Sequence, residues 1–196
     1  MKKEYKLQIK TPLWTGDIDT NSNVLQPTGI IGSLRWWLEA VIRGMDKSAC
    51  DPAGDDRCPR QVTKNNQKVI QYCSACLIFG ATGIRRMFRL EMNGGVKLFD
   101  GGAINIKPNS RNRGWYLGSG LIGQIDLHVI PLDRDFDENL ILIPLVIATN
   151  WGGIGVKTQH GYGVVEIENK MELKFEDFES VLKRIFKKDR IKNLNI

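Results

Sequence analysis

Apolar positions recur along this chain with two different periods, and the changes of period mark its elements. Tyr5, Leu7 and Ile9 alternate with polar neighbours, the signature of a strand with one buried face. From Thr28 to Arg43 the spacing lengthens. Ile31, Leu34, Leu38, Val41 and Ile42 follow helical spacing, while Arg35, Glu39 and Arg43 recur every four residues on another face. That helix is predicted to be capped near Thr28 and to stop at Gly44. Alternation returns at Phe88, Leu90 and Met92, and again at Leu121, Gly123, Ile125, Leu127 and Val129, predicting two central strands with Ile104 and Ile106 on an extra ribbon between them. Asp135 to Asn139 offers N-caps for an apolar helix reaching Trp151, with Pro144 expected in or near its first turn. Val164 to Ile167 makes a last strand. The order β-α-β-β-α-β predicts an α+β, ferredoxin-like (RRM-like) domain over residues 1–170.

Two stretches depart from this pattern. Asp, Pro, Gly, Gln, Asn and Lys dominate residues 46–75, which read as an insertion. Over residues 171–196, Phe175, Phe178, Leu182, Ile185 and Phe186 give an amphipathic helix whose apolar stripe needs a partner surface. The same tail carries most of the charge: Lys183, Arg184, Lys187, Lys188, Arg190 and Lys192 against Asp189 leave only one unit of the net +6 for the rest of the chain. A terminal basic run reads first as a solvated helix face, so the net charge adds little to an RNA argument. The N-terminus is charged and alternating, and the longest apolar run, Leu140 to Thr149, contains Pro144 and falls short of the ~20 residues of a membrane helix. A cytoplasmic location is expected, where disulfides are rare.

All four cysteines lie in or beside the insertion, as Cys50, Cys58, Cys73 and Cys76, spaced C-x7-C-x14-C-x2-C. A C-x2-C pair clamps one side of a tetrahedral ion, and two further thiolates complete a closed structural zinc site. Four free thiols, with Cys76 buried at a helix start, is the alternative at this point.

The strongest local signal is the run from Gly152 to Gly163, between the second helix and the last strand. Glycines permit positive φ and close approach, so such a loop can turn N–H groups toward phosphates while Lys157 and His160 add charge or hydrogen bonds. It has neither the Walker pattern nor a strand leading into it as in a Rossmann turn.

Four segments together resemble the RAMP superfamily and, within it, the family of the first subunit of the Cmr (type III-B) CRISPR effector complex. They are Thr11-Pro12-Leu13-Trp14-Thr15-Gly16 after the first strand, Gly32-Ser33-Leu34-Arg35-Trp36-Trp37-Leu38-Glu39 in the helix, Cys76-Leu77-Ile78-Phe79-Gly80-Ala81-Thr82-Gly83 with Arg85, Arg86 and Phe88 after it, and the glycine-rich loop. The chain departs from the family at Ile31, where an arginine is frequent, and it ends after one ferredoxin-like domain where members usually continue into a second. The resemblance implies a non-catalytic RNA-binding subunit near the 3′ end of the guide RNA. Its partners would be guide RNA, target RNA and other Cmr subunits, in antiviral defence.

The RNA-contact candidates are Trp14, Thr15, Arg35, Arg85, Arg86, Arg89, Gly152, Gly153, Gly155, Lys157, His160, Gly161, Tyr162 and Gly163. Arg35 also stands four residues from Glu39, and of the adjacent Trp36 and Trp37, Trp37 is expected in the core. Two other functions fit the same residues. One is a metal-independent CRISPR repeat endoribonuclease using His160 with Lys157; the other is a zinc-stabilised protein-interaction module without RNA contact.

Overall fold

A computed structural model describes residues 3–16, 22–55, 57–64, 66–99, 103–169, 175–187 and 192–193. The strands are β1 (Lys3–Leu13), β2 (Arg60–Lys64), β3 (Gln67–Gln71), β4 (Phe88–Lys97), β5 (Ile104–Ile106), β6 (Trp115–Leu117), β7 (Leu121–Pro131), β8 (Val165–Ile167) and β9 (Lys192–Asn193). The helices are α1 (Pro27–Gly44), α2 (Ser74–Phe79), α3 (Asn139–Trp151) and α4 (Phe175–Lys187). The period-two segments pair into one antiparallel sheet in the order β4-β7-β1-β8, with α1 joining β1 to β4 and α3 joining β7 to β8. This is the β-α-β-β-α-β order expected from the sequence.

Register explains which face is buried. Tyr5 stands opposite Leu127, Leu7 opposite Ile125 and Ile167, and Leu90 opposite Val129. These side chains meet Ile30, Leu34, Leu38 and Ile42 of α1 and the apolar α3 in one core. The opposite face carries Glu4, Lys6, Gln8, Asp126, His128, Glu91 and Glu166, a mixture of charges without Phe, Tyr or Trp. It lacks the aromatic rings on which an RRM sheet stacks bases.

Several boundaries differ from expectation for identifiable reasons. α1 begins at Pro27, because proline's missing N–H costs nothing at a helix start. Pro144 lies inside α3 rather than in its first turn. Such a proline costs about 3 kcal/mol, and residues Asn139 to Leu145, all buried, offset it by packing. The insertion is not structureless: β2 and β3 form a hairpin, β9 pairs with β3, and α2 leads back to the core. α4 places Phe178, Val181, Leu182 and Ile185 against α3 and α2, so the described part of its apolar stripe is covered by the chain itself. The C-terminal segment is also not helical throughout, since Lys192–Asn193 is extended. Lys188, Asp189 and Arg190 of the basic run, and the side chains of Phe175 and Phe186, lie outside the described residues. Among the described residues no helix is long and apolar enough to cross a membrane.

Candidate nucleic-acid interface and cysteine centre

The loop from α3 to β8 is held against the end of β1. The Val156 N–H donates to the Trp14 carbonyl (2.8 Å), the Gly163 N–H to the Pro12 carbonyl (3.0 Å), and the Ile154 N–H to the Gly163 carbonyl (2.9 Å). Thr158–His160 form a single 3₁₀ turn between Lys157 and Gly161, both left-handed, and the His160 and Gly161 amides bond within it. These five of the loop's N–H groups are thus used by the chain itself. Backbone running beside a core must be paired, and that requirement wins here. The glycines serve close approach instead. A Cβ at Gly152 would collide with the Trp37 indole, and one at Gly163 with the Ile154 carbonyl oxygen.

What the loop does create is one wall of a groove of about 860 Å³. The facing wall is α1, where Thr28, Gly32 and Trp36 stand at intervals of four residues on one side of the helix. Trp36 is 57% exposed and meets Trp37 edge to face, while the Trp37 indole N–H donates to the Gly153 carbonyl (3.1 Å) and closes the floor. Sequence reasoning missed Thr28 and Gly32; small residues four and eight positions before a helical tryptophan were the available signal. Lys157 reaches the same groove with its ammonium 3.2 Å from the centre of the Trp14 ring, a cation–π contact. Partial burial lowers the Lys157 pKa from its ordinary value.

Trp14 and Tyr162 are buried and pack edge to face, and the Tyr162 hydroxyl donates to the Gly118 carbonyl (2.5 Å). They seat Lys157 rather than present open rings. Thr15 is buried as well: its hydroxyl oxygen accepts the Gln26 N–H (3.0 Å) and its own N–H donates to the Ser22 hydroxyl (3.1 Å), fastening the loop into α1. Gly155 lines the groove with Gly152 and Gly153, while His160 and Gly161 are exposed on the 3₁₀ turn.

The predicted arginines stand elsewhere. Arg89 lies opposite Ile130, beside the start of β1, whereas the glycine loop bonds to Pro12 and Trp14 at its far end. About nine strand residues, or roughly 30 Å, separate them. Arg89 pairs with Glu91 (2.6 Å), and Arg85, which precedes β4 together with Arg86, donates to the Leu132 carbonyl (3.4 Å). Arg35 turns toward the cysteines.

The four cysteine sulfurs lie within 4.8 Å of one another. Cys50 Sγ is 3.4 Å from Cys76 Sγ and 3.6 Å from Cys73 Sγ. A tetrahedral thiolate site with metal–sulfur bonds of about 2.3 Å has sulfur–sulfur edges of roughly 3.8 Å, so this donor set fits a closed four-sulfur site. Hydrogen-bond donors reach these sulfurs. The Cys73 amide donates to Cys58 Sγ (3.2 Å), and Arg35 donates to Cys76 Sγ (3.1 Å) and to the Gly80 carbonyl (3.2 Å) while its Nε holds buried Glu39 (2.8 Å). Cys73 ionises most readily, its pKa lowered to about 4, first by the hydrogen bond from Cys76. Cys76 is raised, first by its bond to Cys73, and Cys58 is pushed up to about 11, first by burial.

The sequence profile of the RAMP superfamily matches residues 6–166. The chain belongs to the RAMP superfamily. Two solved structures align with it. Cmr1 from Pyrococcus furiosus in its apo form aligns over 95% of this chain at 14% identity and a TM-score of 0.49. A chain of the type III-B Cmr-beta complex bound to cognate target RNA aligns over 87% at 11% identity and a TM-score of 0.48. This chain spans 59% of the length of each. No curated protein matches its sequence.

The RAMP span runs from β1 into β8, so it includes the groove and the cysteine insertion and leaves α4 outside. Within this RAMP domain the two histidines are far apart. His128 faces Glu4 near the start of β1, and His160 sits on the RAMP loop beyond its end. A pair of histidines acting as acid and base cannot be assembled from them.

Proposed function

We propose that this RAMP chain is a non-catalytic RNA-binding subunit of a type III-B CRISPR ribonucleoprotein. It sits near the 3′ end of the guide RNA and helps the assembled cytoplasmic complex take up complementary target RNA. The observation that carries the RNA reading is the groove between α1 and the RAMP loop, where an exposed indole, a floor of glycine backbone and the Lys157 ammonium face one channel. Aromatic faces beside a cation are what single-stranded RNA requires, for bases and phosphates respectively. Assignment to the Cmr complex rests on the motif resemblance in α1, in the Cys76–Gly83 segment and in the loop.

The cysteine centre is proposed to hold one structural zinc, bound by Cys50, Cys58, Cys73 and Cys76. Four thiolates fill its coordination, so the ion would supply cross-linking and no reaction chemistry.

The test is fluorescence anisotropy of the chain with short labelled single-stranded RNA across a salt series. Each neutralised phosphate contributes a slope of about −0.7 in log K against log salt for single strands. Lys157→Ala is expected to weaken binding uniformly across sequences and to flatten the slope by about that amount. The RNA should be recovered uncut. Salt-independent binding, or none, would refute the reading.

A further inference from the structure

Beside the groove stands a surface that the groove does not use. β5 and β6 form a two-stranded ribbon projecting between β4 and β7, with Ile104 opposite Leu117 and Ile106 opposite Trp115. Cross-strand partners share a face, so these four side chains line one side of the ribbon. Among the described residues no second layer covers that side: Ile104 is 52% exposed, Ile106 44% and Trp115 53%, with Leu117 half-buried at the base. A bare two-stranded ribbon with an apolar face is marginal in water, which makes the exposure a feature to explain. The ribbon is nonetheless fixed at its base. Gly118 packs against the Trp14 indole and accepts the Tyr162 hydroxyl, and the Phe99 N–H donates to the Ser119 hydroxyl (3.0 Å). Trp14 and Tyr162 are the residues that seat Lys157, so ribbon and groove share one foundation.

Charge identifies the occupant. Residues 103–118 contain Lys107, Arg111 and Arg113 and no Asp or Glu. The Arg111 guanidinium lies over the Trp115 ring, 5.2 Å from its centre. An indole flanked by cations, in a segment without an acid, matches a flat base attached to a phosphate. We propose that the β5–β6 ribbon is a second RNA contact, stacking an unpaired base of single-stranded RNA on Trp115 while Arg111 holds the adjoining phosphate. This deepens the RNA-binding reading of the groove and rests on it.

The test uses the full chain and a short labelled oligouridine. Trp115→Ala is expected to weaken binding about tenfold, the size of one stacked base. Trp115→Phe should recover most of the affinity because a ring remains, and Arg111→Gln should flatten the salt slope by about 0.7. Both side chains are exposed, so far-UV circular dichroism should be unchanged. If Trp115→Ala binds like the unaltered chain while Lys157→Ala is weakened, the ribbon proposal is overturned and the groove stands. If the unaltered chain shows no salt-dependent binding, the groove reading fails and takes the ribbon with it.

Discussion

Removing the zinc proposed for the cysteine centre should soften the chain by an amount that can be worked out beforehand. The insertion's own apolar cluster is small, consisting of the cysteines and Tyr72 with Ile70, Leu77, Ala81 and Ile84 packed around them. The hairpin of β2 and β3 buries Val69, while its Gln61, Thr63 and Lys68 are exposed. Its attachment to α1 and α2 therefore depends on whatever joins the four sulfurs. A ligand bound only by the folded state stabilises it by RT ln(1 + [L]/Kd), about 4 kcal/mol at a thousandfold excess over Kd. For a chain of this size each kcal/mol moves the melting temperature by about 2–4 °C, so chelation from that condition should lower Tm by about 8–16 °C. Cys58→Ser is the informative variant, because Cys58 lies at the start of the hairpin and not in the main core, whereas Cys76 belongs to α2 beside it. Metal analysis of protein purified without chelator should give one zinc per chain and a markedly reduced content in Cys58→Ser. The reasoning fails if the unaltered protein carries no zinc, or if Tm is indifferent both to chelator and to this substitution.

Two further outcomes follow from named contacts. Arg35→Met leaves Glu39, which is 3% exposed, with Arg43 at 3.7 Å as its remaining cation and takes the guanidinium donor from Cys76 Sγ; the loss should be about 3 kcal/mol in urea melts. Burial already raises the Glu39 pKa, so this carboxyl's contribution to stability is greatest below its unfolded pKa and declines as pH rises through the folded one. The deficit of Arg35→Met should accordingly shrink toward acid pH, and Arg35→Met/Glu39→Gln should regain much of it at neutral pH; an unaltered deficit in the double variant would clear Glu39. Gly152→Val drives a side chain into the Trp37 ring, so the loop must move, and RNA affinity should fall more than tenfold with Tm lowered by only a few degrees; affinity equal to the unaltered chain would show that the groove's shape is irrelevant.

Legibility from sequence followed the range of the interaction. The period-two and period-3.6 segments were readable because burial of one face is a local pattern: Tyr5, Leu7 and Ile9 point inward whichever strand lies beside them. The partner of α4 was not readable, since Phe178 and Leu182 demand apolar cover without naming α3 as the source. The glycine loop was ambiguous for a related reason. Glycine permits both an open cradle and a tight crossing, and only the proximity of Pro12, Trp14 and Trp37 decides between them. Cysteine spacing was informative because β2 and β3 fold the residues between Cys58 and Cys73 back on themselves, and the four sulfurs converge.

The motif in α1 shows how one family segment divides when folded. Consecutive helical residues point about 100° apart, so Leu34, Arg35, Trp36 and Trp37 cannot face a single ligand. Leu34 enters the core, Arg35 goes to Cys76 and Glu39, Trp36 opens onto the groove, and Trp37 holds Gly153. One turn of helix thus joins the sheet, the cysteine centre, the groove and the loop, and the residue exposed to the proposed RNA groove is the tryptophan rather than the arginine. Each of the other three fixes the position from which Trp36 is presented. Substitutions at Leu34, Arg35 or Trp37 therefore report on the scaffold, and RNA contact by α1 has to be judged on Trp36.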